Sequence, residues 1–83
     1  MDKFQEFLSL VQRERIRQEN IHGEHDKDIN LFEWCSILGE EFGEVCHAVN
    51  EKDFENLKEE LVQVAAVCQS IYERMDVLWQ REQ

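Results

Sequence analysis

No proline interrupts this chain, and glycine occurs only three times in 83 residues. Tight turns and extended loops are therefore scarce. With 42% apolar residues, the profile is that of long helices rather than of a disordered segment. Positive charge is sparse as well: nine Lys and Arg stand against 19 Asp and Glu, a net charge of −10. Nucleic acid and anionic membranes are bound through clustered Lys and Arg, so neither is an expected partner. An anionic ligand would need a cation between itself and the protein. The three cysteines, Cys35, Cys46 and Cys68, lack the CxxC spacing of a zinc knuckle and form no disulfide framework. They are expected to be reduced and buried in a cytoplasmic protein. The opening MDKFQEF has no basic segment leading into an apolar run, and no apolar stretch approaches the roughly 18 residues of a membrane span. Nothing marks the chain for export.

A single domain, residues 1–83, is expected, and a chain this small buries only about 60% of its unfolded surface. Hydrophobic periodicity divides it into three helices. The first covers residues 3–20, with Phe4, Phe7, Leu8 and Val11 on one face. Continuing that face brings in Glu14, Arg15 and Gln18, so the stripe turns polar without leaving the interior side. The segment IHGEHDKDIN, residues 21–30, reads as the one long loop, with His22 and His25 solvated. Asn30 can cap a second helix over residues 31–49, with Glu33 in capping-box position. After NEKD, Asp53 can cap a third helix over residues 54–80. So short a joint forces an antiparallel hairpin. The apolar faces exceed what three helices can cover for one another, above all from Met75 to Trp79. The expected fold is all-α: an antiparallel helical hairpin plus an N-terminal helix, completing a four-helix-type bundle by oligomerisation as a homodimer or homotetramer.

The acidic residues are not all on the outside of this pattern. On a wheel of about 100° per residue with Leu38 at zero, Leu31, Trp34, Phe42, Val45 and Val49 fall within about 40°. Glu41 lands about 60° to one side and Glu44 about 60° further, at the edge of the stripe. In the third helix, with Val64 at zero, Glu60 lies inside the apolar arc at about 40°, and Gln63 lies about 60° beyond it in the same sense. Each helix thus carries an acid in its apolar stripe and an oxygen-bearing partner at i+3 on the rim, and the hairpin can bring the two pairs together. A desolvated carboxylate is costly unless it is paired or binds metal. Few cations are available, and Mg²⁺ or Mn²⁺ takes oxygen ligands and can bridge to phosphates. Glu33, Glu51, Glu55 and Glu59 are assigned instead to solvated faces.

The run EEFGEV, followed after a short joint by EELVQVAAV, resembles the MazG-like all-alpha nucleotide pyrophosphohydrolases, marked by ExxE on one helix and ExxD on the next. The similarity extends through RERIRQ, Gly23, and Trp34 with Leu38. It implies hydrolysis of a nucleoside triphosphate to a monophosphate and pyrophosphate, with Mg²⁺ as cofactor and Mn²⁺ as an alternative. Carried onto this sequence, the motif makes Glu41, Glu44, Glu60 and Gln63 the metal positions, with Glu41 and Glu40 as the catalytic pair, Glu40 orienting water. Gln63 departs from the pattern, because an amide oxygen can ligate Mg²⁺ but brings no charge. Arg15, Gln18 and Trp34 are the expected substrate contacts. For Arg15 and Gln18 a structural hydrogen bond to Glu41 or Glu44 is the competing reading, and for Trp34 a place in the core. Arg74 lies several turns from Gln63 and is expected to matter only across a subunit interface.

Two rival readings remain. Glu44-x-x-His47 matches the ExxH spacing of di-iron carboxylate bundles, but the wheel turns His47 outward. A non-enzymatic acidic interaction module that keeps a degenerate pyrophosphohydrolase fold would explain Gln63 as lost chemistry.

Overall fold

A computed structural model of the protein describes residues 1–26 and 29–82, and its elements are all helices: α1 (Lys3–Asp26), α2 (Leu31–Asn50), α3 (Phe54–Glu73) and α4 (Met75–Arg81). The side chains of His22 and His25 lie outside the described residues. The first helix does not stop at Asn20 but runs on to Asp26, into the segment expected to be a loop. No proline breaks it there, and a single glycine costs a helix only about 1 kcal/mol relative to alanine.

The α2–α3 hairpin forms as its end signals require. Asn30 Oδ1 accepts from the Glu33 amide at 2.9 Å, and Asp53 Oδ1 accepts from the Asn56 amide at 3.2 Å, so each N-cap satisfies a backbone donor that its helix leaves unpaired. The end of α2 is a Schellman closure: the Asp53 amide donates to Ala48 O at 3.0 Å and the Lys52 amide to Val49 O at 3.1 Å. Lys52 takes the left-handed backbone conformation this requires, at φ 57°.

The third helix is broken where the sequence shows no breaker. At Arg74 (φ −105°, ψ 5°) the chain turns, and α4 begins at Met75. The reason is tertiary. The turn lets Leu78, 2% exposed, join Trp34 and Val67 in the core, with Ile29, Leu31, Ile37, Leu38 and Ile71 packed around them. The Arg74 guanidinium lies 5.5 Å from the centre of the Trp34 ring. Arg74 therefore acts within the subunit, contrary to the expectation that only an interface would employ it. The last turns likewise have a partner within the chain, through Leu78.

Elsewhere the core is built on small residues. Ala48, Ala66 and Ser70 are fully buried, and the Ser70 hydroxyl donates to Ala66 O at 3.1 Å, which satisfies it without a partner from another helix. Much of the expected apolar face is not covered: Phe4, Phe42, Leu61, Tyr72, Met75 and Trp79 are exposed. The three cysteines are exposed rather than buried. The accessible surface is 6395 Å², against about 5,200 Å² for a compact monomer of this mass. Among the described residues, no helix is long and apolar enough to cross a membrane.

Candidate metal centre

One turn of α2 carries Glu41 and Glu44, and the facing turn of α3 carries Glu60 and Gln63. The hairpin brings them together: one carboxylate oxygen from each of Glu41, Glu44 and Glu60 lies within 4.8 Å of the other two. Glu60 is buried at 8% exposure, Glu41 is half-buried, and Glu44 stands at the exposed mouth. In the amide orientation that its neighbours require, Gln63 Nε2 donates to Glu41 Oε2 at 3.0 Å and to Glu60 Oε2 at 3.2 Å. Without an ion, this amide bridges the two helices through the carboxylates.

The electrostatics follow from this crowding. Burial, reinforced by Glu44 and Glu41, pushes the Glu60 carboxyl up to about 7 from its ordinary 4.5. Burial and the Glu44 charge also raise Glu41, with smaller contributions from Glu14 and Glu40. Among the described residues, neither Glu41 nor Glu60 forms an ion pair with Lys or Arg. A group nine-tenths buried, opposed by two like charges and lacking a cation is relieved either by a proton or by a metal ion. Three convergent carboxylates suit a hard, oxygen-seeking cation.

Glu14, on α1, is the residue that the sequence reading left without a role. Its side chain is 12% exposed. Arg17 grips it through Nε at 2.9 Å and Nη2 at 2.7 Å, and Gln18 Nε2 donates to it at 3.0 Å. These bonds hold the Glu14 carboxyl below its ordinary value, Arg17 first among them. The signal in the sequence is that Glu14 lies three residues after Val11 on the same helical face, with Arg17 and Gln18 at i+3 and i+4.

The expected substrate residues are dispersed. Gln18 faces Glu14 rather than Glu41 or Glu44. Arg15 points along α3 to Glu73, with Nη2 to Oε1 at 2.7 Å, and stands 3.8 Å from Glu19. Its Nε and Nη1 are buried with no hydrogen-bond partner among the described residues. The structural bond to Glu41 or Glu44 considered for Arg15 and Gln18 is not formed. Trp34 is 4% exposed in the core, its Nε1 also without a hydrogen-bond partner. Glu40 is exposed, yet near enough for its charge to reach Glu41. His47 is exposed and takes no part in the carboxylate cluster, so the ExxH pair does not converge on it.

The MazG nucleotide pyrophosphohydrolase domain matches residues 33–81, more than half of the chain, and the protein belongs to that family. The match includes all four cradle positions and leaves the whole of α1, with Glu14, Arg17 and Gln18, outside it. Comparison with curated proteins and with solved structures gives no match.

Proposed function

We propose that this member of the family is a Mg²⁺-dependent hydrolase that converts a nucleoside triphosphate to the monophosphate and pyrophosphate. The observation that carries the reading is Glu60: a buried carboxylate facing Glu41 and Glu44, with no Lys or Arg paired to it among the described residues. Such a cluster destabilises the metal-free fold, and a site for a divalent ion accounts for its presence. Glu41, Glu44 and Glu60 would hold the ion, with Gln63 completing the set through its amide oxygen after the side chain turns over. When bound, Mg²⁺ polarises phosphate oxygens and lowers the pKa of a bound water. Mn²⁺ suits the same donors.

The protein's own residues do the remaining work. Glu41, half-buried beside Glu40, is assigned with it to the catalytic pair. Glu40, at the solvent edge beside it, is assigned to orienting the attacking water. Gln18 is assigned to contact nucleotide from the α1 side, which requires it to turn from Glu14. A substrate contact by Arg15 requires exchange of its Glu73 partner, and one by Trp34 requires opening of the core around Leu78. The excess surface and the exposed Phe42, Tyr72 and Trp79 support assembly as a homodimer or homotetramer, which sedimentation at micromolar concentration would test.

Pyrophosphate release from a panel of ordinary and modified nucleoside triphosphates, with Mg²⁺ and with Mn²⁺, tests the activity. Divalent-dependent release that is abolished by Glu41→Gln is the expected result. No release from any nucleotide, with metal binding retained, would favour the non-catalytic interaction module.

A further inference from the structure

The α2–α3 hairpin carries a second apolar face, on the side away from the carboxylates. On α2, Cys35, Gly39, Phe42, Cys46 and Val49 recur at alternating steps of four and three residues, and all are exposed, Phe42 at 62%. On α3 the same alternation runs through Phe54, Lys58, Leu61, Ala65, Cys68 and Tyr72; Ala65 is half-buried and the others are exposed, Tyr72 at 77%. Such spacing belongs to helices that pack lengthwise on other helices. The two stripes share one side of the hairpin. On the α2 wheel the stripe lies about 20–100° from Leu38, turned away from Glu41 and Glu44, and on the α3 wheel about 40–120° from Val64, turned away from Glu60 and Gln63. Because the acids of the two helices meet on one side, the stripes meet on the other.

The composition of this face says what covers it. Lys58 is its one charged residue, in a chain that is 34% charged, so the face suits an apolar surface. Gly39 sits inside α2, where glycine is less favourable than alanine, yet a methyl group there would meet no atom within 4 Å beyond its own helix. Nothing within the described chain uses that space; a second helix lying close to α2 would. The accessible surface of 6395 Å² exceeds the compact-monomer value by about 1,200 Å², more than the roughly 800 Å² that each partner gives to a standard interface. A second copy presents the same stripes at the same spacing, so the face is complementary to itself about a two-fold axis.

We propose that this face is the contact between two copies of the chain, packed hairpin against hairpin, with Gly39 at the closest approach. The proposal rests on the assembly reading above and specifies its surface. The contact encloses Cys35, Cys46 and Cys68, which are exposed in the single chain. It also lies behind the metal cradle, so the mouth at Glu44 stays open in each copy.

Sedimentation equilibrium at micromolar concentration, with circular dichroism to check folding, tests the contact. The wild type should be dimeric or larger. Phe42→Glu and Tyr72→Glu should each weaken association by at least about 30-fold, the loss that marks a central contact residue. Ile16→Glu, which adds the same charge at an exposed apolar site on α1, should leave association unchanged. Gly39→Ala should act in opposite directions: it should weaken association of the otherwise wild-type chain but raise the melting temperature of monomeric Phe42→Glu, as alanine does inside a helix. Thiol labelling needs no variant, since a maleimide should react slowly with the wild-type dimer and faster after dilution to monomer. A wild type that stays monomeric would overturn this contact and assembly together. Association unchanged in Phe42→Glu, Tyr72→Glu and Gly39→Ala, or a labelling rate indifferent to dissociation, would overturn this face and leave assembly to another surface. Mg²⁺ binding keeps the result apart from the cradle: it should persist in Phe42→Glu, and Glu41→Gln should still associate.

Discussion

Gln63 Nε2 lies 3.0 Å from Glu41 Oε2 and ties α3 to α2 at the level of the carboxylates. In the metal-free protein the amide thus acts as a neutral stand-in for a cation, donating to Glu60 as well. Gln63→Asp removes both hydrogen bonds and adds a fourth charge to the cluster. The metal-free protein should lose roughly 1.5–3 kcal/mol for each bond to a charged acceptor. Mg²⁺ should stabilise the variant more than the wild type and at lower concentration, because an ion that binds only the folded state stabilises it in proportion to its occupancy. Melting curves across an MgCl₂ series check this; parallel curves would mean that Gln63 does not face the ion.

The pH dependence of the metal-free protein follows from Glu60, whose folded value of about 7 lies above its ordinary 4.5. Between those values the folded state holds more protons than the unfolded one, so stability falls as pH rises and the loss is complete above the folded value. Raised Glu41 acts in the same direction. Lowered Glu14 and Glu73 act oppositely: their contribution is lost as pH falls below the ordinary carboxylate range. Urea melts in EDTA should therefore show greatest stability near about pH 5 and a decline towards pH 8. Saturating Mg²⁺ should flatten that decline.

Lys52 holds a left-handed conformation that costs an L residue roughly 1–2 kcal/mol and a glycine almost nothing. Lys52→Gly should stabilise the protein by about 1 kcal/mol, the relief being partly offset by a freer unfolded chain. Thermal melting checks it; a loss of stability would mean that the Lys52 side chain contributes more than its backbone costs.

Leu78→Ala should cost roughly 2–5 kcal/mol, the range for a buried leucine truncated in a packed core. The effect should extend beyond α4, since Leu78 packs on Trp34 from α2 and Val67 from α3. Tryptophan emission should shift to the red along with the fall in the urea midpoint. An unchanged midpoint would place α4 outside the cooperative core.

The metal cradle was legible because helical periodicity is a strict ruler: Glu60 falls inside the apolar arc of α3 whatever packs on it, and Asn30 and Asp53 mark helix starts by local chemistry alone. What could not be read was set by distant contacts. The turn at Arg74 has no glycine or proline; burial of Leu78 against Trp34 selects it, and Trp34 is far away in sequence. Conversely, the polar segment after Asn20 looked like a loop, yet it contains nothing strong enough to stop α1 before Asp26. Phe42 and Trp79 fit their stripes but are exposed, because a wheel gives the direction of a side chain without showing whether another helix lies there.

Glu60→Gln, measured by melting temperature with and without Mg²⁺ at pH 7.5, tests the central claim most directly. If Glu60 is retained for a divalent ion, the metal-free variant should be at least as stable as the wild type, because neutralising a buried acid between Glu41 and Glu44 relieves repulsion. It should gain little or nothing from Mg²⁺ at concentrations that raise the wild-type melting temperature by several degrees. A variant that melts lower than the wild type yet gains just as much from Mg²⁺ would show that Glu60 supports the fold and that the ion, if bound, is held elsewhere.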